Sequence, residues 1–232
     1  MKFLRIALAA FCGATLVSVL AATSAGAATT HATVRTAPTV AEATLIQGLP
    51  QTSVDVYLNG TEIVQNFRFK GVVGPLPLVP GRYHLAIRLH GTKRDTKPLL
   101  EGTGWLKAGD DVTIVAELDS AGNPALARFW NPRPEIAKGR SELVVRNVAD
   151  DAGLTVYADG LRIFRNLTNP NSAAIRLPSE WVKVTMDDYG TTTTVIGPLA
   201  VHLVSQTVTI IYVLGNPATH TLTTLRESYS AS

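Results

Sequence analysis

The sequence has almost no cysteine, and this lack limits how the fold can be stabilised. Cys12 is the single cysteine among 232 residues, and it lies in an N-terminal segment that we expect to be removed. The remaining chain would then form no disulfide bond, no thiolate metal site and no cysteine nucleophile. Its stability must come from a hydrophobic core, which a chain of this length can supply.

Short motifs that carry hydrolytic or metal chemistry are also missing. Neither G-x-S-x-G nor H-E-x-x-H occurs. The five histidines are scattered, at His31, His84, His90, His202 and His220. His84 and His90 share one face of a predicted strand but lie about 20 Å apart in extended chain, too far to chelate one ion. We therefore predict a protein that is not an enzyme and that has no metal and no cofactor.

The N-terminus has the pattern of a signal peptide. Lys2 and Arg5 precede an uncharged, mostly apolar run from Ile6 to about Ala22, and Ala25-Gly-Ala27 supplies a small-x-small cleavage pattern. We predict a signal peptide over residues 1–27, with a secreted or cell-envelope-associated product. A retained membrane anchor is the alternative, although the run is short for a membrane span.

Most of the excess positive charge lies in the predicted signal peptide. The net charge of the whole chain is +3, and removing Lys2 and Arg5 leaves +1. Nucleic acid is therefore not an expected partner. Residues 28–42, rich in Ala, Thr and Pro and without apolar periodicity, predict a flexible tail.

One short sequence motif occurs twice in the chain. Val54–Gly60 reads VDVYLNG and Leu154–Gly160 reads LTVYADG, at a spacing of 100. Further on, VTIVAEL at 112–118 matches VTIIYVL at 208–214, at a spacing of 96. These matches predict two copies of one unit. The boundaries that we predict are repeat 1 over 43–131, a linker over 132–140, repeat 2 over 141–227 and a terminal tail over 228–232.

Each copy has the pattern of short strands. Apolar residues alternate with polar ones along Val54–Leu58, and Asn59-Gly60 and Asp159-Gly160 suit type I′ hairpin turns. No amphipathic helix is evident, and about seven strands are expected in each unit. The predicted fold is all-β, with two tandem antiparallel β-sandwich domains of immunoglobulin or transthyretin type. The Cys…Trp…Cys hallmark of a true immunoglobulin domain is absent.

These stretches also resemble a known family. VDVYLNG, VPGRYHLAIR and KAGDDVTIVAELDSAGNPAL are similar to the secreted bacterial domain of unknown function 4397. The resemblance implies tandem β-sandwich repeats behind a signal peptide, of a type frequent in actinobacteria, with no established activity. Gln47 and Asn147 stand where the family often has a histidine, so a role that depends on that histidine is not expected here.

A basic strand is the first candidate binding feature. Its cations alternate with apolar residues and continue into a loop, forming what we call the basic stripe: Arg82, His84, Arg88, His90, Lys93, Arg94 and Lys97. Such a stripe could hold an anionic polymer through weak, salt-sensitive contacts. The alternative is a solvated sheet face whose charges prevent pairing with other sheets.

Trp181 is the second candidate. Val182, Val184 and Met186 are predicted to face inward, which turns Trp181 outward as a possible platform for a sugar ring. The alternative is that Trp181, like Trp105 and Trp130, packs at least partly into the core.

The matching strand of repeat 2 carries acid instead of base. Asp187 and Asp188 replace Arg88 and Leu89, and this suggests that the two faces meet between units or between molecules. The expected function is a non-catalytic binding or structural module, with a cell-wall polysaccharide or an envelope protein as ligand. The alternatives are an extracellular hydrolase with its site between the units and a passive surface spacer.

Overall fold

Sixteen strands form two sandwiches in the computed structural model, which describes residues 39–151 and 153–232. The strands of sandwich 1 are β1 Ala41–Gln47, β2 Ser53–Leu58, β3 Thr61–Arg68, β4 Val72–Leu78, β5 Gly81–Leu89, β6 Leu100–Leu106, β7 Asp111–Leu118 and β8 Pro124–Trp130. Those of sandwich 2 are β9 Arg140–Ala149, β10 Leu154–Ala158, β11 Leu161–Leu167, β12 Asn171–Pro178, β13 Trp181–Asp188, β14 Thr194–His202, β15 Thr207–Gly215 and β16 Thr223–Ser230. Each sandwich thus has one strand more than predicted.

The two sandwiches have the same strand order. Inner sheet 1 runs β4-β1-β7-β8 and outer sheet 1 runs β3-β2-β5-β6. Inner sheet 2 runs β12-β9-β15-β16 and outer sheet 2 runs β11-β10-β13-β14, so every strand has its counterpart eight strands later. The predicted all-β double sandwich is confirmed. Pairing is antiparallel except between β1 and β7 and between β9 and β15, which are parallel.

The strands extend beyond two of the predicted boundaries. β1 begins at Ala41, inside the predicted tail 28–42, and β16 ends at Ser230, inside the predicted tail 228–232. The predicted signal peptide over 1–27 and the rest of the N-terminal tail through residue 38 lie outside the described residues. Within the described residues, no helix has the length and apolar character to cross a membrane.

Both repeated hairpins form as predicted. Asn59 and Gly60 have φ values of 50° and 79°, and Asp159 and Gly160 have 48° and 80°, which are the left-handed conformations of a type I′ turn. Each turn is also tied to the third strand of its outer sheet. The Asn59 carboxamide oxygen accepts a hydrogen bond from the His84 N–H at 2.8 Å, and the Asp159 carboxylate accepts one from the Lys183 N–H at 2.8 Å.

The inner sheets pack against each other, so the molecule has four layers with a core at the centre. This junction core buries Ile46 and Val115 of sandwich 1 against Val144, Ile210 and Tyr212 of sandwich 2. The segment between β8 and β9, predicted as a stiff linker, contributes Ile136 to the same core. The two sandwiches belong to one compact unit.

One predicted match between the repeats is wrong by one residue. In the sheets, Ala43 of β1 pairs with Val112, and its counterpart Leu143 of β9 pairs with Thr209, a spacing of 97 and not 96. Val112 therefore faces the core of its own sandwich, whereas Val208 faces the junction. Since side chains alternate along a strand, a shift of one residue moves every side chain to the other face.

Candidate functional site

The basic stripe lies on the solvent face of outer sheet 1 and in the loop that follows it. Arg82, His84 and Arg88 project from β5, while the other members lie in the β5–β6 loop: His90, Lys93, Arg94 and Lys97. All of them are exposed except Arg88, which is half-buried. The structure therefore brings the predicted residues to one face, as the alternation of the sequence indicated.

Acidic side chains from neighbouring strands neutralise part of this stripe. The His90 Nδ1 atom lies 2.8 Å from the Asp55 Oδ1 atom, and His84 Nε2 lies 3.5 Å from Glu101 Oε2. Burial alone would raise the pKa of Asp55, but hydrogen bonds from the Asn66 N–H and from His90 hold this pKa below its ordinary value. Asp55 is therefore ionised at neutral pH, and the stripe is a mixed-charge face instead of an unbroken basic one.

Two of the arginines are engaged with an aromatic ring. The guanidinium groups of Arg88 and Arg94 lie 5.8 and 5.6 Å from the centre of the Tyr57 ring. Tyr57 in turn donates a hydrogen bond of 2.7 Å to Glu62. Arg94 also donates to the Gly60 carbonyl in the hairpin turn. These contacts tie the two arginines to the sheet. No arginine or lysine of the stripe has an ion pair among the described residues.

Trp181 projects outward, as predicted, from the start of β13. Its side chain is 66% exposed, while Val182, Val184 and Met186 are buried. The indole stacks on the imidazole of His202 on the adjacent strand, with ring centres 4.8 Å apart and planes inclined by 20°. The two rings form an open aromatic surface on outer sheet 2.

The equivalent cross-strand pair of sandwich 1 also holds an exposed tryptophan, but on the opposite strand, and sequence reasoning did not select it. Trp181 pairs across the sheet with His202, and at the matching place Arg82 pairs with Trp105, which is 62% exposed. Trp105 also borders a shallow groove with Trp130, which is 47% exposed. We call these two surfaces the aromatic platforms, Trp105 with Arg82 on sandwich 1 and Trp181 with His202 on sandwich 2.

The proposed meeting of the basic and acidic faces within one chain is wrong. Arg88 lies on β5 and Asp187 on β13, which belong to the outer sheets, whereas the sandwiches contact each other through their inner sheets. Asp187 instead accepts a hydrogen bond of 2.7 Å from Thr194 on the neighbouring strand. The sandwiches pack through their inner sheets because the outward faces of these sheets are apolar. Burying apolar surface stabilises the contact, whereas the solvent faces of the outer sheets are polar.

The junction between the sandwiches contains a buried polar network. Arg146 is 3% exposed and donates hydrogen bonds to the Asn131 carboxamide at 2.9 Å, the Tyr212 hydroxyl at 2.8 Å and the Trp130 carbonyl at 2.9 Å. Burial raises the pKa of Glu227 on β16 of the same sheet. A small cleft beside this network is lined by Glu227, Asp111 and Arg133, among others.

This cleft is where the alternative of a hydrolase would need its site. Arg133 contacts Asp111 at 3.2 Å and Glu42 at 3.3 Å, so these carboxylates serve as ion-pair partners. The described histidines lie on the outer sheets or in loops, at His84, His90, His202 and His220. Across residues 39–151 and 153–232, no group of three His, Cys, Asp or Glu side chains is arranged to hold a metal ion.

Comparison with models of protein families gives a match. A family model described as Domain of unknown function (DUF4397) matches residues 41–154, which span sandwich 1 and the first strand of sandwich 2. No curated protein matches the chain.

Proposed function

We propose that this chain, whose residues 41–154 match the model of the DUF4397 family, is a non-catalytic binding module of the cell envelope. Its ligand is an envelope polysaccharide, which the two aromatic platforms hold by stacking. The observation that carries this proposal is that the equivalent cross-strand pair of each outer sheet holds one exposed tryptophan, Trp105 on β6 and Trp181 on β13.

The chemistry of the platforms suits a sugar. An exposed indole offers a flat apolar face to the C–H face of a pyranose ring, and the partner across the sheet supplies a polar group beside it. That partner is Arg82 for Trp105 and His202 for Trp181. Lys183 and Asp159 border the second platform and add hydrogen-bonding groups.

Two platforms on one compact unit favour a repetitive ligand. The platforms lie on opposite outer layers, and each exposed contact is weak, but a wall whose neighbouring polymer segments engage both platforms gains effective concentration for the second contact. Secretion, as expected from the N-terminal pattern, would place both platforms where envelope polysaccharides occur. An envelope protein as ligand, a junction hydrolase and a passive spacer are the competing functions.

Co-sedimentation with isolated bacterial cell walls tests the proposal. The protein should pellet with the walls at low and at high salt, because stacking on an indole is less sensitive to salt than the contacts of an exposed cation. The variants Trp105→Ala and Trp181→Ala should each weaken binding by about tenfold or more, a loss of about 1.4 kcal/mol. Val72→Ala, which shortens an exposed apolar side chain of inner sheet 1, is the matched control.

The other outcomes separate the competing functions. Binding that disappears at high salt, and that is insensitive to both tryptophan substitutions, would instead assign the ligand to Arg82, Lys93 and Lys97. Absence of binding at every salt concentration would exclude the polysaccharide and leave a protein ligand or a spacer. Release of soluble sugar or peptide from the walls would support the hydrolase.

A further inference from the structure

Sandwich 1 contains an apolar cavity between its two sheets. The cavity has a volume of about 270 Å³. Leu45 and Ile114 of inner sheet 1 form one wall, and Leu85 and Leu106 of outer sheet 1 form the opposite wall. A close-packed sandwich core normally has few spaces larger than a water molecule, so a space of this size requires an explanation.

Two glycines create the space. On β6, Gly102 and Gly104 pair with Leu85 and Tyr83, and therefore occupy inward-facing positions. The equivalent positions of β14 in sandwich 2 are Leu199 and Val201, which pair with Val184 and Val182. Leu199 and Val201 fill the core of sandwich 2. At these two inward-facing positions, sandwich 2 has apolar side chains, whereas sandwich 1 has glycine.

The backbone does not require glycine at either position. Neither Gly102 nor Gly104 has a positive φ. A Cβ atom on Gly102 would lie 3.4 Å from Leu126 Cδ1, and one on Gly104 would lie 3.5 Å from Arg128 Nη1, both ordinary contact distances. Alanine would therefore fit at either position, and the added methyl groups would stabilise the core by reducing the empty space. Glycine at these positions keeps space open.

The rim of the cavity carries one cation. Arg128 lies at the edge strand β8, with its guanidinium against Gly104 and 5.1 Å from the centre of the Trp130 ring. No carboxylate among the described residues lies within ion-pair distance of Arg128. An apolar interior with a single unpaired cation at its edge is complementary to an amphiphile that has an aliphatic chain and an anionic head.

We propose that sandwich 1 binds the acyl chain of a fatty acid in this cavity, with the carboxylate at Arg128. A space of about 150 Å³ already accepts benzene in an engineered protein core, so the present cavity has room for several methylenes. Sandwich 2, with Leu199 and Val201 in place, does not bind a chain. Arg128 also lines the groove that Trp105 borders, but the cavity itself lies between the two sheets, and binding of a chain there does not depend on a polysaccharide ligand.

Calorimetric titration with straight-chain carboxylates tests the proposal on the protein itself. Hexanoate, octanoate, decanoate and dodecanoate are used below the concentrations at which they form micelles. Affinity should rise about fourfold for each methylene that enters the cavity and then reach a plateau when the cavity is full. Arg128→Gln should reduce the affinity for decanoate to that for decanol, which has the same chain without the charge.

Filling variants show where the chain binds. Gly102→Leu with Gly104→Val copies sandwich 2 and should abolish decanoate binding. Gly102→Ala with Gly104→Ala adds only two methyl groups at ordinary contact distances and should weaken binding by about fifteenfold, as expected if about two methylenes are displaced. Gly81→Ala is the matched control, since Gly81 lies on β5 outside the cavity and a Cβ there meets nothing closer than 3.9 Å.

Two results would overturn the proposal. If decanoate does not bind the native protein, the cavity is not a fatty-acid site. If decanoate binds the doubly alanine-substituted protein as tightly as the native one, the chain is held elsewhere. Loss of wall binding in the tryptophan variants has no bearing on either result, so this proposal and that of a polysaccharide ligand can fail independently.

Discussion

Replacing Glu117 by glutamine should make the protein more stable, and more so at higher pH. Glu117 lies on β7 and is 1% exposed. Burial raises the pKa of its carboxyl group from 4.5 to about 8. Its Oε2 atom has no hydrogen-bond partner among the described residues. The folded protein therefore keeps this carboxyl protonated at pH values at which the unfolded chain ionises it.

The sign of the pH dependence follows from proton linkage. Between the unfolded pKa of 4.5 and the folded pKa of about 8, the folded state binds one proton more than the unfolded state, so stability falls as the pH rises. Over the range from about pH 5 to pH 8, this single group lowers the free energy of unfolding by about 3 kcal/mol. Glutamine has a similar shape and does not ionise, so it removes this slope.

Urea unfolding of the native protein and of Glu117→Gln across this pH range measures the effect. The difference between their free energies of unfolding should be below about 1 kcal/mol near pH 5 and should widen to about 4 kcal/mol near pH 8. Glu180→Gln, which changes an exposed carboxylate in the turn before β13, is the control and should give no widening. A constant difference between Glu117→Gln and the native protein over this range would refute a buried, protonated Glu117.

Two further substitutions test other contacts. Arg146→Met removes two buried hydrogen bonds and one partly buried one, so the free energy of unfolding in urea should fall by about 3 kcal/mol. Arg176→Met is the control, because it breaks only the exposed contact with Glu142 at 3.4 Å. It should change the free energy of unfolding by less than about 1 kcal/mol. Equal effects of the two substitutions would contradict the buried network around Arg146. Asp55→Asn weakens the bonds to Asn66 and His90, and should cost about 1 kcal/mol at neutral pH. Because the folded pKa of Asp55 is below 3.8, this cost should vanish in acid below that pKa; a cost that persists there would contradict an ionised Asp55.

The parts of the fold that local chemistry determines were predictable from the sequence. Asn59-Gly60 and Asp159-Gly160 form the expected turns because a type I′ hairpin needs positive φ at two adjacent residues. The outward direction of Trp181 followed from the period of two along its strand. These features depend on a few neighbouring residues, so no knowledge of the remaining chain was needed.

Features that depend on distant residues were not predictable in this way. The partial neutralisation of the basic stripe requires Asp55 and Glu101 to lie beside His90 and His84, which strand order decides. The match between β7 and β15 at a spacing of 96 was wrong because both strands are apolar at most positions, so either alignment gives a similar match. Only the pairing with β1 and β9 shows which side chains face the junction. The cavity likewise appears only when Gly102 is seen opposite Leu85.

One signal in the sequence did indicate the junction. VTIIYVL in β15 is apolar at almost every position, and so is much of β9, where ELVVRNVA has both faces buried. A strand of a free-standing sandwich would alternate, because one of its faces would meet water. Continuous burial therefore means that a second layer covers the sheet, and inner sheet 1 is that layer. The two sandwiches have the same strand order, but the inner and outer sheets of each differ in which of their faces are buried. The inner faces form a shared core, while sandwich 1 has an open cavity where Leu199 and Val201 fill sandwich 2.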